Sequence, residues 1–143
     1  MTADSTPAAR PVTLVSIRVI TDDVARLADF YQELTAVPAR WFTPDFAELN
    51  TPVGTLAIGS VRTVALFGEG TAAPAANRSV IVEFLVDDVD AVHDRLAAAG
   101  TPVVQEPTTM PWGNRSLLLR DPDGNLVNVF TPVTEAAIAK FAR

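Results

Sequence analysis

The sequence predicts an α+β fold of two tandem βαβββ modules, and three features carry that prediction. A strand-like run enters Asp-Asp-Val and continues as an amphipathic stretch twice, at Arg18–Leu27 and at Glu83–Val92, 65 residues later. Each copy is followed by short β-branched and aromatic runs broken by turn residues, the pattern of consecutive small strands. At 143 residues and 48% apolar content, the chain can fill one substantial core and is too short for two ordinary domains. A period near half the chain length therefore divides one domain into two similar units. Concave sites favour the seam between such units.

Residues 1–11 are small, polar and proline-containing, with no apolar run, which marks a frayed tail and not a secretory leader. Val12 to Ile20 reads as a strand, with Ser16 and Arg18 at alternate positions among β-branched residues, so one face turns to a core and the other to a wetter space. Asp22 or Asp23 can cap the following helix, whose core face holds Val24, Leu27, Phe30, Tyr31 and Leu34. Pro38 limits its extension. Ala39–Phe42, Phe46–Asn50 and Thr55–Ser60 are three short strands separated by Thr-Pro-Asp and Thr-Pro-Val-Gly turns. Module one thus spans about 12–60. Residues 61–78, with Gly-Glu-Gly and an alanine-proline run, form the linker.

Module two, about 79–132, repeats the order. Val80–Val86 is a strand, and Val89–Ala99 a helix stopped by Gly100. Val103–Glu106 is a short strand, and Pro111–Gly113 a Pro-Trp-Gly loop. Arg115–Arg120 and Leu126–Thr131 pair around Asp121-Pro-Asp-Gly-Asn, a strong hairpin turn and not a phosphate or calcium loop. Residues 133–143 hold a short helix, Thr134–Ala142, with Ala137, Ile138 and Phe141 apolar.

Composition removes several function classes. There are no cysteines, which excludes disulfides, thiolate metal sites and cysteine nucleophiles. No apolar run reaches the roughly 18 residues of a membrane helix. A net charge of −6 argues against nucleic acid or an anionic membrane as partner. It weakly favours a cationic ligand, although acidity for solubility alone is the plainer account. With the tail, these features assign the chain to the cytoplasm. No Walker motif or Gly-x-Ser-x-Gly elbow is present.

The module order, the Asp-Asp-Val entries, Phe30-Tyr31, Pro111-Trp-Gly and the run Leu117-Leu-Leu-Arg-Asp-Pro-Asp-Gly-Asn-Leu-Val resemble the vicinal oxygen chelate superfamily. That group includes glyoxalase I, the extradiol dioxygenases and the bleomycin-resistance proteins. The resemblance covers the chain apart from both tails. It implies that each module curls its strands into half of an open cup with the helices outside. Two halves, from one chain or from two chains of a homodimer, then enclose a cavity.

Metalloenzymes of this group carry His, Glu or Gln at four equivalent strand positions, where nitrogen and oxygen lone pairs hold a divalent ion at about 2.0–2.2 Å. Carried onto this chain, those positions fall on Ser16, Ile81, Asn128 and, within one residue, Ala57. These side chains do not make that set. The single histidine, His93, lies in the second helix, where a half-packed helix residue is the plain reading. The resemblance therefore implies no metal and no other cofactor, closest in character to the metal-free bleomycin-resistance branch. It counts against glyoxalase and dioxygenase chemistry, both of which use the ion.

If Ser16 and Ile81 face inward, period two brings Arg18, Glu83 and Leu85 to the same side, and Leu126, Asn128 and Phe130 share a face. On the third strand the inward set is expected to be Phe46, Glu48 and Asn50. Trp41 and Trp112 are expected near the mouth, with a core role for Trp41 and a turn-plugging role for Trp112 left open. Tyr31 reads as helix packing. Arg18 opposite Glu48 or Glu83 is either a ligand contact or a plain ion pair. The expected ligand residues are thus Ser16, Arg18, Trp41, Phe46, Glu48, Glu83, Trp112, Asn128 and Phe130. Two functions fit. One is a metal-independent protein that sequesters an aromatic or cationic natural product. The other is a metal-independent isomerase, lyase or hydrolase, with Glu48 or Glu83 as a base raised in pKa by an apolar cup and Arg18 stabilising an oxyanion.

Overall fold

The computed structural model describes residues 8–143. In order these form β1 (Ser16–Thr21), α1 (Val24–Thr35), β2 (Arg40–Thr43), β3 (Phe46–Asn50), β4 (Thr55–Ser60) and α2 (Val61–Ala65). Then come β5 (Ile81–Leu85), α3 (Val89–Ala98), β6 (Val103–Thr109), β7 (Asn114–Arg120), β8 (Leu126–Pro132) and α4 (Glu135–Lys140).

The repeated Asp-Asp-Val step builds the same cap twice. Asp23 (φ −139°, ψ 92°) accepts the backbone N–H of Arg26, and Asp88 (φ −142°, ψ 94°) accepts that of Ala91. In each copy the second Asp is the cap. The helix ends differ. Ala36 takes the left-handed conformation at φ 59° after α1, whereas Gly100, at φ 79°, follows α3.

Two four-stranded mixed sheets result, ordered β1-β4-β3-β2 and β5-β8-β7-β6. In each, the first strand runs parallel to the last of its module, and the other pairs are antiparallel. The architecture is the α+β arrangement of two βαβββ modules. One core joins them. Val82 and Val127 of the second sheet, Ala47 and Ile58 of the first, and Leu27, Tyr31 and Leu96 of the helices belong to a single buried cluster. Arg95 of α3 donates to the carbonyls of Glu33 and Leu34 at the end of α1, where a cation meets the negative end of the helix.

Beyond shifts of one or two residues at element ends, three features differ from the sequence reading. β1 starts at Ser16, not Val12, because its only ladder partner, β4, begins at Thr55 opposite it. Val12, Leu14 and Val15 run on beyond the sheet and stay exposed. β6 reaches Thr109, carrying Pro107 on an edge strand where register shifts absorb its missing donor. The linker opens with α2, capped by the Ser60 hydroxyl accepting from the N–H of Arg62. The first seven residues of the expected tail lie outside the described residues.

Candidate functional site

Register sorts each strand's side chains into a helix side, against α1 or α3, and a side free of those two helices, the helix-free side. The latter is met by α2 at Gly59 and by the end of α4 at Phe130. In module one, Arg18, Ala57, Glu48 and Arg40 pair in one row across the sheet. Ile20, Gly59 and Phe46 form the next row. Ile17, Leu56 and Leu49, and likewise Val19, Ile58 and Ala47, fall on the opposite side, where α1 packs. Arg18, Phe46 and Glu48 therefore share the helix-free face, as expected from period two. Ser16, opposite Thr55, shares it too.

Arg18 lies over two rings, its guanidinium carbon 5.0 Å from the centre of Phe46 and 5.5 Å from that of Phe67. Among the described residues it forms no ion pair, so the alternative of a plain pair with Glu48 or Glu83 does not hold. Gly59 makes the arrangement feasible. A Cβ there would meet the Thr63 hydroxyl at 2.6 Å and the Arg18 Cδ at 3.6 Å, so the arginine stem crosses bare backbone. The row continues outward, with Phe42 5.8 Å from Phe46 and Arg40 4.9 Å from Phe42. Beside it, Asp45 accepts from Ser60 at 2.8 Å and from Arg62 at 3.0 Å. Those two bonds hold its carboxyl below the usual range and tie α2 to the β2–β3 turn.

In module two, Glu83, Asn128 and Leu118 share a row, as do Leu85, Phe130 and Ser116. The Asn128 amide donates to Glu83 Oε2 at 2.7 Å. Phe130 is not open to a ligand. Phe141, just after α4, packs on it at 5.1 Å, and Phe130 is buried. Ser116 and Asn114 are buried on the same side of β7, with Ser116 Oγ, Asn114 Oδ1 and Asn128 Oδ1 lacking partners among the described residues.

Trp41 departs from the expected inward face, and of the two roles left open for Trp112 the turn plug does not hold. Trp41 pairs with Ala47 and so falls on the helix side of the first sheet, at the bulge of β2, away from Arg18 and Glu48. Trp112 is 67% exposed in the β6–β7 turn, so it plugs nothing. His93 sits half-buried on α3. Tyr31 is fully buried packing, as read, but it also donates to Asp121 Oδ2 at 2.7 Å. Burial and then the Asp121 charge push its phenol far above the ordinary range.

Phe42, Phe67, Arg40 and Phe141 were missing from the sequence-derived set. Period two from Arg40 could have found Phe42. Nothing local signals that Phe67, just after α2, or Phe141, just after α4, reaches the sheets.

A cleft of about 190 Å³ separates the outer edge of β1 from residues 72–77 of the linker and from Val80, Val82 and Asn125. It lies at the seam between modules.

The donor set does not suit the divalent ion that the fold family implies. On the helix-free faces of the two sheets the carboxylates are Glu48 and Glu83, one per sheet, and Glu83 is already bonded to Asn128. Ser16, Ala57 and Ile81 add a hydroxyl and two alkyl groups. Among the described residues, no three His, Cys, Asp or Glu converge.

The family model for the Glyoxalase/Bleomycin resistance protein/Dioxygenase superfamily matches residues 13–129. The uncharacterized protein YraH of Bacillus subtilis (strain 168) is 24% identical over 123 residues, covering 82% of this chain and 96% of that protein. A glyoxalase/bleomycin resistance protein/dioxygenase family enzyme from Burkholderia phytofirmans PsJN superposes with a TM-score of 0.76 at 19% identity, over 85% of this chain and all of that one (100%). Lactoylglutathione lyase from Agrobacterium tumefaciens gives 0.64 at 22% identity, over 86% and 96%. At such identities the structural matches speak for the fold.

Proposed function

We propose, for a chain that belongs to the Glyoxalase/Bleomycin resistance protein/Dioxygenase superfamily, that it binds and sequesters a small aromatic molecule without a metal ion. The observation that carries this reading is the makeup of the helix-free faces. They offer exposed aromatic rings, a guanidinium and a bonded carboxylate–amide pair, but no convergent donor set. Rings bind flat ligands by stacking, and a few fixed polar groups orient them. A homodimer belongs to this reading. β2 and β6 each leave an outer edge unpaired, and the apolar residues Leu14 and Val15 stand exposed just before β1.

The test is a calorimetric titration of untagged protein with a panel of planar aromatic and cationic natural products, bleomycin included. The recovered compound is analysed by mass, and the protein by elemental analysis. Saturable binding of an unaltered compound by protein without stoichiometric metal is the expected result. Tightly held Zn, Ni, Mn or Fe at one per chain overturns the metal-free part.

A second reading has one observation in its favour. Asn128 fixes the Glu83 carboxylate, and an oriented carboxylate can act as a general base in a metal-independent isomerase, lyase or hydrolase. Glu83 is exposed, however, and the apolar surroundings expected for such a base do not enclose it within one chain. A chemically altered compound in the same panel, with turnover abolished in Glu83→Gln, would favour this reading.

A further inference from the structure

We propose that Arg18 is the anchor for an anionic group, a carboxylate or phosphate, on the aromatic ligand of module one. This deepens the small-molecule reading and rests on it.

Three observations converge. The guanidinium carbon lies over the rings of Phe46 and Phe67, at 5.0 and 5.5 Å, two contacts that restrain the side chain. Among the described residues the guanidinium has no ion-pair partner and donates no side-chain hydrogen bond, although Arg18 is solvent-accessible. The residue opposite Arg18 across the sheet is Ala57, whose methyl group offers the guanidinium no hydrogen-bond partner.

A guanidinium presents its N–H groups as a planar fork that matches two oxygens of a carboxylate or phosphate. Ring stacking lowers the entropy lost when the fork engages, because the side chain is already held. Phe67 is 74% exposed, an apolar cost at the surface that a stacked ligand would remove. The local charge also differs from the global one. This face carries Arg18 and Arg40 against Glu48, whereas the chain as a whole bears −6. The acidic remainder of the surface slows an anion's approach, but it is screened beyond about 10 Å at ordinary salt. The cationic ligand suggested by net charge therefore does not suit this face.

The test titrates full-length protein by calorimetry with four probes of one size: benzoate, phenyl phosphate, benzylamine and benzyl alcohol. Wild type is expected to bind the two anions and not benzylamine. Arg18→Gln is expected to weaken anion binding about tenfold or more, the worth of a charge-assisted fork. Phe67→Ala, at an exposed position that does not threaten folding, should weaken it by a smaller factor. Tighter benzoate identifies a carboxylic acid ligand, and tighter phenyl phosphate a phosphoester; either supports the anchor. Anion binding unchanged in Arg18→Gln, or benzylamine bound as tightly as benzoate, overturns it. Benzyl alcohol bound equally by wild type and Arg18→Gln, with no gain for the anions, overturns the anchor while leaving small-molecule binding intact. If no probe binds wild type, the anchor falls, and the natural-product panel decides the broader reading separately.

Discussion

At the scale of single residues, Asp121 is the side chain on which most depends. Its Oδ1 accepts the backbone N–H groups of Asp123 and Asn125, and its Oδ2 accepts Tyr31 Oη at 2.7 Å and Asn125 Nδ2 at 2.8 Å. Asn125 in turn accepts from Asn77 of the linker. The turn that pairs β7 with β8 is thus also the clasp between helix α1, the linker and module two. Tyr31→Phe removes one donor from this buried carboxylate, and a loss of about 1.5–3 kcal/mol is expected. Urea unfolding should show a lower midpoint at unchanged slope. Tyr31 is the chain's one tyrosine, so phenolate absorbance reports it alone. Its folded pKa is raised by burial and by Asp121, and the unfolded phenol titrates near about 10. The stability this contributes is full below that pH and is lost as pH rises above it. Native protein should therefore show no phenolate until it unfolds in alkali, and unfolding and ionisation should coincide. Tyrosine ionising in the folded state would contradict the buried bond.

Among elements, α4 has the most specific seat. Gly113 takes φ +96°, and a Cβ there would sit 2.0 Å from the Thr134 hydroxyl and 3.0 Å from the Ala137 Cβ. Its carbonyl accepts the N–H of Val133 and of Thr134. Gly113→Ala is expected to cost about 1–2 kcal/mol in backbone strain alone, and the clash should lift α4 off the sheet. Hydrogen exchange at residues 134–141 should then accelerate well beyond that at α1. Unchanged protection there would mean that the turn, not the helix, absorbs the methyl. A lifted α4 also uncovers Phe130, restoring the ligand-lining face the strand pattern anticipates. The helices of each repeat were legible because their caps are local, Asp23 and Asp88 bonding backbone three residues on. The five-residue α2 was not, since Asp45, which accepts from Ser60 and Arg62 at its start, reaches it from the distant β2–β3 turn.

For the whole molecule, the unpaired edges of β2 and β6 and the exposed Val12, Leu14 and Val15 lead to an expected solution mass of twice the 15.2 kDa chain. Light scattering on the eluted protein checks this. Leu14→Asp with Val15→Asp should shift the species toward monomer without altering far-ultraviolet dichroism, because neither residue belongs to the core. A wild-type monomer at all concentrations would remove the dimer from the proposed function. No helix among the described residues is long and apolar enough to cross a membrane.

The sequence by itself determined the module order, the two Asp-Asp-Val helix entries, the hairpin turn and the alternation that sets Arg18, Phe46 and Glu48 on one face and Glu83 with Asn128 on another. These are consequences of spacings of a few residues, in which chain geometry alone dictates direction. Only the tertiary structure decided that Phe67 closes over Arg18, that Phe141 covers Phe130, and that a bulge in β2 accompanies Trp41 to the helix side. Each of these depends on where a distant segment comes to rest. That placement follows from filling one shared core, and no local pattern in the sequence encodes it.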